Sequence, residues 1–370
     1  VYRRIDFEFF DYGRYYERKR RQYHSRLTIG TIIKRNERLR KIVMEAGEIS
    51  SGDLNSIGDV TGVSVGNVEI DSDGLCSGLT AVNPYPSEIK NRMCHIGRWS
   101  LDNGGSTSGL GVSEDFGLFS SPIVLAPAPS FGRVYEAMIQ HGIQRDNGLS
   151  TNNGWPPIIM SLSDGVWNNV HRIHETIQEA HVSMVLAENS KQKNYEGNFG
   201  IGRSLRAFGM RGGIGTASRI LTPYTVGVLV AINGGLPSDL RINGSRIPTQ
   251  EAEDQKNPQE FCIVVATDAP LLPIKLRSLA ERAALGAARC ALWNSFTQQA
   301  QVIAFSTSQI RNKENTAIGQ FGSIHNDTLF ALYTAVVASV EAAVLSGLLA
   351  AQSIDVNGHK LQALSLPEYP

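Results

Sequence analysis

Cysteine is scarce in this chain of 370 residues. The four present, Cys76, Cys94, Cys262 and Cys290, are too few and too scattered for a disulfide scaffold. None forms the C-x-x-C pair that structural zinc sites use. Net charge is missing as well: 35 Lys+Arg balance 35 Asp+Glu. Taken whole, that zero speaks against a nucleic-acid binder. There is no Walker A phosphate loop and no His-Glu-x-x-His zinc motif. The first residues are charged and lack the apolar core of a secretory leader. The expectation is a cytoplasmic protein with reduced thiols. The sequons at Asn243 and Asn326 matter only on a secretory route.

What is present is a globular composition. Hydrophobic residues make up 42% and charged residues 19%, enough for a sizeable core. The zero charge is a sum of unequal parts. Residues 1–47 hold 13 Lys+Arg and 6 Asp+Glu, and the remainder holds 22 and 29. Five of the 11 tyrosines also lie in that first segment. Residues 1–50 therefore read as a basic, Tyr-rich extension, and 51–370 as one α/β domain. The basic run at 16–24 reads as a solvated helix face or an anion or partner contact.

One apolar stretch, Leu329 to Ala351, has the length of a membrane span. Polar residues and Glu341 interrupt it, and cap-type residues Asn326, Asp327 and Thr328 precede it. It reads as a buried helix, so no membrane is expected. Strands are expected at Val60–Ile70, Pro122–Pro127, Pro157–Leu162, Tyr224–Ile232, Phe261–Thr267 and Gln301–Ser306. Helices are expected at Asn169–Val185 and Pro273–Cys290. Leu240–Ile247 reads as a hairpin turning at Asn243-Gly244, and 249–260 as a polar loop.

Gly197–Gly202 (GNFGIG) is glycine-rich but lacks the G-x-G-x-x-G spacing of a dinucleotide site. His171, His174 and His181 lie near one another without an acidic partner at ligand spacing. They read as surface or packing histidines rather than metal ligands.

Four segments carry a more specific pattern. They are 55–66 (NSIGDVTGVSVG), 196–200 with 212–219 (EGNFG, GGIGTASR), 226–234 (VGVLVAING) and 264–273 (VVATDAPLLP). Together, and in this order, they resemble the DmpA family, the L-aminopeptidase/D-Ala-esterase/amidase and β-aminopeptidase group of peptidase family S58. The resemblance runs from about residue 52 to about 352. It implies a four-layer αββα sandwich of the DmpA type, similar to N-terminal-nucleophile hydrolases. It also implies a homo-oligomer, a tetramer in many members, and no cofactor. In the family the precursor cuts itself before a Ser. The freed α-amine then serves as base beside its own hydroxyl, while Asn and backbone donors hold the oxyanion.

This chain departs from that pattern at the chemistry-bearing positions. Anchored on Val265-Ala-Thr-Asp268, the family's nucleophile falls on Glu260 and the residue before the cut on Gln259. Glu offers no hydroxyl or thiol for the acyl shift that begins self-cleavage. Anchored on Ala304-Phe-Ser-Thr307, the family's Ser-x-Glu pair falls on Gln298 and Ala300. The family's Tyr before Asp-Gly falls on Ser163, and the oxyanion-type Asn is kept as Asn233. Cys262 lies two residues beyond Glu260, on the same strand face, and a shifted cut would make it an N-terminal nucleophile. Gly244-Ser245 imitates a cleavage pair but lies in the expected hairpin.

Three readings follow. In the first, an uncut enzyme uses Glu260 for acid/base chemistry in a pocket with Asn233, Gln298 and Ser163, on a small amide-, peptide- or ketide-like substrate. In the second, a catalytically silent relative serves as a binding or scaffold protein. In the third, an amidase or aminopeptidase uses Cys262 as nucleophile.

Overall fold

A computed structural model describes residues 49–72, 74–84, 92–101, 107–145, 156–164, 168–188, 195–247, 259–293, 299–312, 321–356 and 359–364. The basic segment 1–47, the loop 248–258 and Gln298 lie outside the described residues.

Two sheets form the centre. The first uses β1 (Ser64–Ser72), β2 (Leu75–Asn83), β5 (Ile123–Pro127) and β6 (Ile158–Leu162), in the order β1-β2-β5-β6. The second uses β3 (Arg92–Leu101), β4 (Leu118–Phe119), β9 (Gly213–Leu221), β10 (Tyr224–Asn233), β13 (Glu260–Thr267) and β14 (Gln299–Asn312). Its order is β4-β3-β14-β13-β10-β9. Three short pairs are added: β7 (Arg206–Ala207) with β8 (Met210–Arg211), β11 (Arg241–Ile242) with β12 (Ser245–Arg246), and β15 (Ile354–Val356) with β16 (His359–Leu361).

Strand side chains alternate, and both sheets bury both faces. Toward the other sheet point Val65, Val82, Ile123, Leu125, Ile158, Met160 and Leu162 from one side. Ile214, Leu229, Ala231, Cys262, Val264, Ala266, Ile303 and Phe305 answer from the other. On its outer face the first sheet packs Leu79, Ala81, Val124, Ala126 and Ile159 against Val134, Met138, Ile173, Val182 and Val185. Those belong to helices α2 (Phe131–Arg145), α3 (Val170–Thr176) and α4 (Glu179–Ala187) or flank them; a short α1 (Leu110–Phe116) precedes β4. The outer face of the second sheet carries α5 (Pro273–Arg289) and α6 (Asn326–Ala350). The result is the four-layer αββα sandwich.

Helix α6 is the long apolar stretch, and most of it is buried against β9, β10 and α5. Its polar interruption is satisfied, since Glu341 accepts from Arg289 at 2.8 Å. The N-cap is His325, not one of the three residues after it; Asp327 sits in the first turn, where its charge suits the helix dipole.

Two other expectations shift. The strand expected from Val60 begins at Ser64. Ile57–Asp59 forms a 3-10 turn, and Gly62 takes φ +91°, which bends the chain before the strand starts. The single helix expected over Asn169–Val185 is two. Ile177 and Gln178 are extended (ψ 118° and 163°), which turns Ile177 into the core beside Ile173. The hairpin at Asn243-Gly244 forms as expected, with φ +50° and +77° at the two turn residues.

Candidate active site

The register of the second sheet brings three side chains into a row. Asn233, the last residue of β10, pairs with Glu260, the first of β13. Glu260 in turn pairs with Gln299, the first of the parallel strand β14. Register partners share a face, and this face looks toward the first sheet. There β6 ends at Leu162, and Ser163 follows directly.

Glu260 is 9% exposed. Its Oε1 accepts the backbone N–H of Ser163 and the Asn233 Nδ2 amide, the latter at 2.7 Å. Asn233 Nδ2 also donates to the Ser163 carbonyl at 2.9 Å, and Asn233 Oδ1 accepts the Arg206 N–H at 3.2 Å. Ser163 thus takes part through its main chain. Among the described residues both bonds to Glu260 fall on one oxygen. That suits a protonated carboxyl whose carbonyl oxygen accepts and whose other oxygen carries the proton.

Burial pushes the Glu260 carboxyl up to about 7. The bonds from Ser163 and Asn233 oppose the rise, and the charge of Asp164 adds to it. Asp164 is itself almost wholly buried, and burial pushes it to about 7 despite bonds from Ser77 Oγ (2.7 Å) and Asn168. Its Oδ1 has no hydrogen-bond partner among the described residues. Two carboxyls that titrate near neutrality therefore stand on either side of Ser163. The sequence reading missed Asp164, although its Asp-Gly context was visible; nothing local signals burial of a loop carboxyl.

Gln259 donates no chemistry here. Its Oε1 accepts the Gly235 N–H at 3.0 Å and its carbonyl accepts the Gln299 N–H. Ala300 pairs with Phe261, so it belongs to the opposite face, away from Glu260. The side chains beside Glu260 are Gln299 and Gln301, both donating to the Ser161 carbonyl at 3.4 Å. Counting back from Ala304 could not reveal this, because the register of a parallel pair is fixed by contacts far apart in sequence. Phe261 also points away from the site and meets the Trp293 ring at 6.0 Å.

Cys262 is fully buried within β13, between Ala231 and Gln301. Burial, and then the charge of Glu260, raise its thiol well above the ordinary value. A peptide bond before it lies inside the strand ladder. Ser245 is exposed in the hairpin, remote in sequence from β13.

The glycine-rich segment has a packing role. Gly200 opens a 3-10 turn on β1 and β2, with φ +49°, and a Cβ there would meet Asn67 Oδ1 and Thr80 Oγ1 at 2.3 Å. His171 is exposed, and the other two histidines make local bonds. His174 Nδ1 lies 3.1 Å from the Pro129 carbonyl, and His181 Nδ1 accepts the Gln178 N–H at the start of α4.

Residues 55–361 match the description Peptidase family S58. The chain belongs to peptidase family S58. Among curated S58-like relatives, the β-peptidyl aminopeptidase BapA of Sphingosinicella microcystinivorans is 30% identical over 355 residues, covering 85% of this chain and 86% of that protein. Among solved structures, the PH0078 protein of Pyrococcus horikoshii OT3 superposes with a TM-score of 0.81 at 26% identity, covering 88% of this chain and 95% of the other. The L-aminopeptidase D-Ala-esterase/amidase of Ochrobactrum anthropi, described as a variant of the Ntn hydrolase fold, gives 0.78 at 27% identity with the same coverage. The S58 chain described here has that sandwich, and its relatives are aminopeptidase-type hydrolases.

Proposed function

We propose that this S58 protein is an uncut hydrolase of small amides or peptides in which Glu260, rather than a freed Ser, moves the proton. The observation that carries the reading is the Glu260 carboxyl, buried at the head of β13, gripped by Asn233 and the Ser163 N–H, and titrating at about 7. A carboxyl with that value is present in both protonation states at neutral pH, as proton transfer in both directions requires.

In the hydrolytic step, the Glu260 carboxylate takes a proton from water as the water oxygen bonds to the amide carbon. The tetrahedral species then breaks its C–N bond, and Glu260 returns the proton to the departing amine. Asn233 spends both of its amide N–H groups on Glu260 and the Ser163 carbonyl, and so holds the Glu260 carboxyl in place against the end of β6. Burial keeps the Glu260 value high, and the neighbouring Asp164 charge adds to it.

The third reading, with Cys262 as nucleophile, is disfavoured by its burial and raised thiol value. The silent-scaffold reading is separated by turnover. The test is a panel of amino-acid amides and β-peptides assayed with the parent chain and with Glu260→Gln. Loss of turnover in a folded Glu260→Gln protein supports the proposal; equal turnover in both removes Glu260, and none in either favours the scaffold. Assembly into a homo-oligomer, with residues 1–47 as a contact arm, is part of the same proposal and is checked by light scattering of full and truncated chains.

A further inference from the structure

A cleft lies beside the site, over the paired strands β3 and β14 where they come near Thr107, the bridge partner of Met160 in β6. Arg98, Trp99, Leu101, Thr107, Leu110 and Gln301 are among the residues that line it. Its cavity volume is about 50 Å³, room for roughly four non-hydrogen atoms at about 10–15 Å³ each.

Two polar atoms at this cleft are buried without a hydrogen-bond partner among the described residues: Gln301 Oε1 and Thr107 Oγ1. Gln301 is 5% exposed. Its amide cannot simply turn over to solve this, because Nε2 is committed to the Ser161 carbonyl, which only accepts. The acceptor Oε1 is therefore fixed. A buried acceptor and a buried hydroxyl left unpaired are costly, so their natural complement is a ligand group.

The chemistry of the walls narrows that group. Gln301 Oε1 demands a donor, which excludes a carboxylate. The Arg98 guanidinium is paired with Glu114 at 2.6 Å, so this wall offers no net charge to balance an ionic group. Thr107 Oγ1 can donate or accept. Leu110 and Ile303, the latter on the same strand face as Gln301, accept a methylene. A neutral group with both a donor and an acceptor on a short stem meets all of these demands, and CH₂–C(=O)NH₂ has four non-hydrogen atoms.

The cleft is also at the right distance. Gln301 stands two residues beyond Gln299, the partner of Glu260, which is about 7 Å along the strand. That is roughly one residue of substrate.

We propose that this cleft is a specificity subsite for a substrate side chain ending in a primary carboxamide, held by Gln301 Oε1 and Thr107 Oγ1. It rests on the amide-hydrolase reading for its place in the reaction, but binding tests it independently. The probes are L-asparagine amide and L-leucine amide, which share shape and size while only the first carries the donor and acceptor. Calorimetric titration of the full chain is expected to show asparagine amide at least tenfold tighter. Thr107→Val removes the hydroxyl without disturbing any internal bond, and is expected to cut the preference below threefold with leucine amide unchanged. Gln301→Met is expected to do the same. Equal affinity for both probes, no binding of either, or a preference that survives both substitutions overturns the subsite. A preference without hydrolysis leaves the subsite standing and sinks the hydrolase reading. Hydrolysis without a preference does the reverse.

Discussion

Replacing Glu260 with Gln changes stability in a way that depends on pH. The carboxyl sits at about 7 in the folded protein, against an ordinary value of 4.5. At roughly 1.4 kcal/mol per pH unit, that difference converts to about 3 kcal/mol. The sign follows from which state holds the proton. Below pH 4.5 the group is protonated folded and unfolded, and its stabilising share is fully present. As pH rises through 7, the unfolded chain is already ionised and the folded one must ionise a buried group. Stability is lost across that window and levels off above about pH 8. Gln cannot ionise, and its carbonyl oxygen can accept the same bonds from Ser163 and Asn233. The variant is therefore expected to match the parent near pH 4.5 and to exceed it by about 3 kcal/mol at pH 8.5. Urea unfolding of both proteins at pH 4.5, 6, 7 and 8.5 measures the difference directly. Asp164 has a similar slope and is present in both proteins; only its repulsion with ionised Glu260 differs, and losing that in the variant adds to the difference in the same direction. A difference that stays flat with pH, or a variant less stable at pH 8.5, would refute the argument.

Other outcomes follow from the same geometry. Asp164→Asn removes the neighbouring charge and is expected to lower the midpoint at which Glu260 titrates, read from the pH profile of turnover. Asn233→Ala leaves the Ser163 carbonyl and Glu260 without their amide donor; it is expected to cost about 1–3 kcal/mol in urea unfolding and to abolish turnover. Gly244→Ala strains a residue at φ +77° in an exposed hairpin; thermal unfolding should show a loss of about 1–2 kcal/mol, with turnover unchanged. Phe305→Ala empties a fully buried place between the sheets, where the ring meets Phe119 edge-on at 5.5 Å, and should cost about 3–5 kcal/mol.

The parts of the fold that were legible in the sequence are those governed by local chemistry. Val226 to Ile232 and Phe261 to Thr267 read as strands because β-branched and aromatic residues dominate them. Asn243-Gly244 reads as a turn because both residues tolerate positive φ. Pro273 opens α5 and Leu276, Leu279, Ala283 and Ala287 mark its buried stripe. Non-local geometry was hidden. The break at Ile177-Gln178 serves the core, since helical periodicity continues through it. The S58 resemblance located Glu260 and Asn233, but only the pairing of β13 with β14 shows that Gln299 and Gln301 face them while Ala300 faces away. Asp164 gave no sign of its burial, because burial depends on Ser77 and Asn168, 87 and 4 residues distant along the chain.

The proposed chemistry needs an uncut chain working through Glu260. The most direct measurement pairs intact mass with turnover on one preparation. A single species at 40.3 kDa is expected to hydrolyse a small amide near pH 7, with at least a hundredfold loss in a folded Glu260→Gln protein. A chain cut before Glu260 or Cys262, or turnover unaffected by the substitution, would contradict it.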